Sequence, residues 1–162
     1  MPPFNTSPIR HRWLTGAAAA ILFAAGSGCG TDVDVVRDPA SSAGVRPTVI
    51  TRDFGVPNDE ISIDSAHVIG DELVAVVSHG GGCSEHTYQL VIGSAWMESS
   101  PVQVRARLAH NANGDPCRAL LRRELNIDLR PLANAYNATY RQAHGSVSIQ
   151  LTGTTAALLY TF

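Results

Sequence analysis

From Thr48 to the end of the sequence, apolar side chains recur mostly at every second position, the period of a half-buried strand. Thr48 to Asp53 is an expected first strand, and Ile61, Ile63 and Ser65 share a face in the run that continues through His67-Val68-Ile69. A Gly70-Asp71 turn then leads into Leu73 to Ser78, whose near-continuous apolar character suits a central strand. His86 to Met97 alternates less cleanly. Val102, Val104, Ala106, Leu108 and His110 line one face of the clearest strand, with Gln103, Arg105 and Arg107 on the other. Asn113-Gly114 marks a turn, because both residues tolerate positive φ. Another strand runs through Leu121, Arg123, Leu125 and Ile127.

The period then changes. Leu129, Leu132, Tyr136 and Tyr140 fall near one helical face, so a short helix is expected from Leu129 to about Gln142, capped by Asp128 and stopped by Gly145. Pro131 is compatible with its first turn. Two final strands follow, through Val147, Ile149 and Leu151 and, after Gly153-Thr154, through Ala156, Leu158, Tyr160 and Phe162. The expectation is an antiparallel, immunoglobulin-like β-sandwich of seven to eight strands with one crossover helix, covering residues 48–162 as a single domain. The aromatic ending Tyr160-Thr161-Phe162 is also a feature of outer-membrane barrels, but these strands carry too many charges to offer a lipid-facing side.

The first 28 residues are laid out differently. Arg10, His11 and Arg12 form a basic start, Leu14 to Ala25 an apolar run of twelve residues, and Gly26-Ser27-Gly28 a small-residue end. This is the plan of a secretory signal, and the run is shorter than the roughly 20 residues that span a bilayer. Small residues followed at once by Cys29 resemble the lipobox of bacterial lipoproteins, with Gly26 where such boxes usually carry Leu. The resemblance implies cleavage before Cys29, lipid on its sulfur, and anchoring to the bacterial cell envelope, with the outer membrane the expected site. Gly30 to Pro47, rich in Asp, Ser, Gly and Pro, reads with Cys29 as a flexible tether over residues 29–47.

Cleavage there leaves 134 residues (162 minus 28), enough for one core. All twelve basic residues are arginine. Residues 29–98 hold three arginines and eleven acids, and residues 99–162 seven arginines and three acids, giving about −8 and +4. Attraction between the halves of one domain explains this imbalance. A nucleic-acid surface is not indicated, because the arginines are spread along strands rather than clustered with aromatics.

Candidate chemistry concentrates between His79 and Cys117, where three of the six histidines and both cysteines beyond Cys29 lie. In an exported protein the default is a Cys83–Cys117 disulfide, closing a loop of about 35 residues and contributing roughly 3–4 kcal/mol. The alternative is a zinc or copper site built from Cys83, His86, His110, Asp115 and Cys117, with His79 a further possible ligand. A third arrangement keeps the disulfide and leaves His86, His110 and Asp115 as a polar cluster. His79-Gly80-Gly81-Gly82 resembles the oxyanion-hole signature of lipases and esterases, but the Gly-x-Ser-x-Gly elbow that chemistry needs is missing from the sequence. Asn111-x-Asn113-x-Asp115 spaces oxygen donors as calcium loops do, without the downstream acid. Asn137-Ala138-Thr139 is a glycosylation sequon, meaningful only on a eukaryotic secretory route. No nucleophile–base pair can be named, so no catalytic residue is expected.

Gly81-Gly82-Cys83-x-x-His86, the polar loop ending Asp115-x-Cys117, and Asp128-Leu129-x-x-Leu132 before a closing strand pair resemble the C-terminal β-sandwich of NigD-like envelope lipoproteins over residues 73–162. These have an additional N-terminal β-domain, for which Thr48 to Ile69 is too short. The resemblance implies a lipid-anchored, non-enzymatic sandwich that binds an unknown partner or serves structurally.

Overall fold

Alternating side chains sort into eight strands and one helix in the computed structural model, which describes residues 43–162 apart from Phe54 and Pro57. In chain order these are β1 (Val45–Thr51), β2 (Ser62–Ile69), β3 (Glu72–Gly81), β4 (Thr87–Gly93), β5 (Val102–Asn111), β6 (Ala119–Asp128), α1 (Arg130–Tyr140), β7 (Ser146–Leu151) and β8 (Leu158–Thr161). The expected signal segment, Cys29 and most of the expected tether lie outside the described residues, while β1 begins inside the last part of that tether. Among the described residues no helix is long and apolar enough to cross a membrane.

The strands form two sheets, β1-β4-β5-β7-β8 and β2-β3-β6. Their inward faces make one core: Leu73, Ala75 and Val77 from β3, Leu90 and Ile92 from β4, Val104, Ala106 and Leu108 from β5, with Leu125, Ile127, Val147 and Ile149. The sheets also approach at their edges, β1 against β6 and β8 against β2. Thr48 Oγ1 donates to the Asp128 carbonyl at 2.6 Å across the first of these seams. Tyr160, on edge strand β8, is fully buried and donates its hydroxyl to Asp71 Oδ1 at 2.8 Å.

Two sequence expectations change. The larger sheet is mixed rather than antiparallel, since β1 pairs with β4 and β5 with β7 in parallel. Each parallel pair is separated by a detour through the other sheet, the β2–β3 hairpin in one case and β6 followed by α1 in the other. Parallel neighbours require such a crossover, whereas a tight turn joins only antiparallel ones. The helix ends also move. Leu129 is the N-cap, and Asp128 instead accepts the Arg130 amide at 2.9 Å. Arg141, at φ 58°, stops the helix by donating its amide to the Asn137 carbonyl at 2.8 Å. Gly145 serves packing: a Cβ there would lie 2.7 Å from Tyr136 Cε1. The Asn113-Gly114 turn is as expected, with φ values of 52° and 68°.

Candidate functional site

Period-two alternation carries three inward columns to the same end of the domain, and each column ends in a histidine. On β3 the column Leu73, Ala75, Val77 reaches His79; on β5 Val104, Ala106, Leu108 reaches His110; ahead of β4, His86 precedes Tyr88, Leu90 and Ile92. All three histidines are buried, at 3%, 7% and 1% exposure, so they sit as a polar layer over an apolar core. Tyr88 and His110 are direct cross-strand partners with near-parallel rings 5.3 Å apart. His79 comes from the opposite sheet, its ring 4.6 Å from that of His86 and 4.5 Å from that of His110.

A carboxylate seals the layer. Asp115 Oδ2 accepts the backbone amides of Gly82 and Cys83 at 2.8 Å and Ser84 at 2.9 Å, and Oδ1 accepts that of Cys117 at 2.8 Å. The glycine loop is thus wrapped around one side chain, and Oδ2 also faces His86 Nε2 at 3.1 Å. Burial opposes the charge of Asp115, yet the Cys117 amide, the His86 ring and the amides of Cys83 and Ser84 together hold its carboxyl far below the usual carboxylate range. Gly81, at φ 140°, must be glycine here: a Cβ would fall 2.5 Å from His86 Cε1 and Nε2 and 3.0 Å from Asp115 Oδ2. Cys83 and Cys117 flank this cradle and are joined as a disulfide with Cα atoms 5.8 Å apart.

The hydrogen bonds determine where ring protons sit. His110 Nδ1 lies 3.1 Å from the Glu60 carbonyl, which can only accept, so Nδ1 carries hydrogen. His86 Nε2 faces an ionised carboxylate and carries one too. His86 Nδ1 and His110 Nε2 then meet at 2.8 Å, a distance two bare lone pairs do not tolerate. That contact is therefore bridged rather than bare. Burial pulls His110 below its ordinary value, against the pull of the Glu60 carbonyl. His79 is likewise lowered by burial. Its Nδ1 donates to the Gly80 carbonyl at 2.8 Å, leaving Nε2 to accept the Tyr88 hydroxyl at 2.6 Å. Burial pushes Tyr88 up to about 12, so that hydroxyl keeps its proton.

Of the residues singled out in the sequence, the structure unites Cys83, His86, His110, Asp115 and Cys117 at one end of the domain. They separate into two sets of potential metal-binding groups. His79, His86 and His110 each place a ring nitrogen within 4.8 Å of the others; Cys83, Asp115 and Cys117 form the second set. Bonded sulfurs are not thiolates, so the mixed cysteine–histidine ligand set is not assembled in this state. Tyr88, Asp59 and Glu60 complete the site without having been singled out. Asp59 donates its amide to the His110 carbonyl at 2.9 Å and accepts the Ala112 amide at 2.6 Å, pinning residues 59–60 beside β5. Tyr88 shares the parity of Leu90 and Ile92, a signal present in the sequence; the Glu60 group is a backbone carbonyl and leaves none.

No protein-family model matches the chain, and no curated protein does. Among solved structures, a NigD-like immunity protein from Bacteroides caccae is similar at TM-score 0.49 and 20% identity, over 65% of this chain and 51% of that one. A protein of unknown function from Bacteroides vulgatus is similar at TM-score 0.44 and 14% identity, over 74% and 56%. A candidate lipoprotein from Bacteroides fragilis is similar at TM-score 0.48 and 13% identity, over 73% and 69%. The chain therefore spans about half the length of the first two.

Proposed function

We propose that the protein is a non-enzymatic envelope lipoprotein, held by lipid on Cys29 at the outer membrane, whose β-domain serves as a binding or structural module. The observation that carries the non-enzymatic part is the closure of the polar layer on itself. Both nitrogens of His79, His86 and His110 are occupied by groups of the protein, and Asp115 is saturated by backbone amides. A general base must reach a proton on a substrate, and a buried ring engaged on both sides does not. The anchor rests on the basic start, the apolar run and the small residues that precede Cys29. Two acyl chains and an acylated amine hold a protein far more firmly than a single chain, which binds only marginally.

The test is an intact mass of the mature protein from the outer-membrane fraction, beside a Cys29→Ser variant. A start at Cys29 bearing a diacylglyceryl group, with the variant no longer lipidated, is the expected result. A mature chain without acyl mass removes the anchor from the proposal.

A further inference from the structure

His86 Nδ1 and His110 Nε2 face each other at 2.8 Å with a ring nitrogen of His79 nearby, and the groups around them suit a shared metal ion. On all three histidines one nitrogen is committed as a donor to an acceptor outside the layer: His110 Nδ1 to the Glu60 carbonyl, His86 Nε2 to Asp115, His79 Nδ1 to the Gly80 carbonyl. Those bonds fix each tautomer and leave His110 Nε2, His86 Nδ1 and His79 Nε2 as the lone pairs. This is the supporting shell that orients metal-binding imidazoles, including a carboxylate behind one of them.

We propose that His79, His86 and His110 bind a borderline transition-metal ion, zinc(II) above all, through these three nitrogens, with the Tyr88 hydroxyl beside the fourth position. The site goes beyond the structural reading above and does not involve the sulfurs. Bonds of 2.0–2.1 Å in a tetrahedral site place ligand nitrogens about 3.3 Å apart. The His86–His110 separation of 2.8 Å opens slightly to reach this, and His79, within 4.8 Å, moves inward as its nitrogen exchanges the Tyr88 hydroxyl for the metal. Three imidazole nitrogens suit zinc, and an oxidised Cys83–Cys117 pair leaves an all-nitrogen protein set.

The experiment uses the folded, disulfide-bonded wild-type domain, demetallated and titrated with zinc and then with cobalt(II) as a spectroscopic probe. Binding of one ion per chain, with tetrahedral cobalt bands and no thiolate-to-metal charge-transfer band, is expected. Asp115→Asn, which removes the carboxylate behind His86, weakens binding about 10–100-fold. His67→Ala and His144→Ala, at exposed positions, leave it unchanged. No binding to the oxidised wild-type protein overturns the proposal, as does a thiolate band or loss of binding in either exposed-histidine variant. Because the spectrum is read on the wild type, failure of a buried-histidine variant to fold does not blunt the test. A protein that carries no lipid on Cys29 but binds cobalt in this way refutes the anchor alone.

Discussion

Removing the disulfide by Cys83→Ala/Cys117→Ala isolates what a covalent link adds to a loop already held by hydrogen bonds. The two cysteines are 34 positions apart, so the bond closes a ring of about 35 residues in the unfolded chain. Loop-closure entropy for that length is about 3.8 kcal/mol at 25 °C. Little native contact is lost, because Cys83 is exposed, Cys117 is half-buried, and Asp115 still gathers the amides of Gly82, Cys83, Ser84 and Cys117. With a urea m-value of about 2 kcal/mol/M, the midpoint of equilibrium unfolding falls by about 2 M. Amide exchange at residues 82–84, measured under native conditions where local opening dominates, stays close to that of the wild type. A loss below about 1 kcal/mol refutes the loop-entropy reasoning. A large loss accompanied by deprotected amides at 82–84 refutes its second half, showing that the bond acts by holding the native loop in place.

Three further outcomes follow from the packing. Gly81→Ala costs about 2–5 kcal/mol in urea unfolding, combining a positive-φ penalty with a methyl group forced against the His86 ring, whereas Gly114→Ala, where a Cβ meets nothing within 4 Å, pays only for its backbone angle. Leu125→Ala, at a nearly fully buried core position, costs about 2–5 kcal/mol by the same measurement. Burial raises Tyr88 from 10.0 to about 12, so between these values the unfolded chain releases a proton that the folded one retains. Stability therefore falls as pH rises through that window, and ultraviolet titration shows the Tyr88 phenol ionising later than an exposed tyrosine; ionisation near 10 in still-folded protein contradicts its burial.

The strands were legible because each is a local record of burial. Val102 to His110 alternates without interruption, and β5 occupies that run almost to the residue. Which strands become neighbours is a matter of distant pairing, and nothing in the Thr48–Asp53 run signals that it will lie parallel to β4 rather than antiparallel to β2. The helix ends differ from the expected ones for a local reason. Asp128 can satisfy the Arg130 amide while still in strand geometry, so its presence marks the start only to within a residue. Gly145 looked like a stop, but Arg141 adopted the left-handed conformation first and the glycine went to accommodate Tyr136. For the site, His86, His110 and Asp115 stood out by residue type. The place of His79 in the layer follows from its parity with Leu73, Ala75 and Val77, and the Glu60 carbonyl could only be found in three dimensions.

A polar layer at the end of an apolar core needs a physical reason, because three apolar side chains would close the columns without demanding partners. Histidines there require a tyrosine hydroxyl, two backbone carbonyls, a buried carboxylate and a glycine at φ 140°, of which the Glu60 carbonyl and Asp115 come from segments far from their histidines in the chain. A half-satisfied network of this kind is worse than an apolar plug, so its members stand or fall together. Exposed histidines would not need such support; His67, on β2, and His144 lie at the surface. The two carbonyls and the carboxylate act in the same sense, each fixing a proton on one ring nitrogen and leaving the lone pair on the other. Solubility does not account for that arrangement, since the rings are buried, and neither does packing, which apolar residues would serve. Control over which ring nitrogens keep lone pairs does account for it, and that control is what the proposed metal site requires.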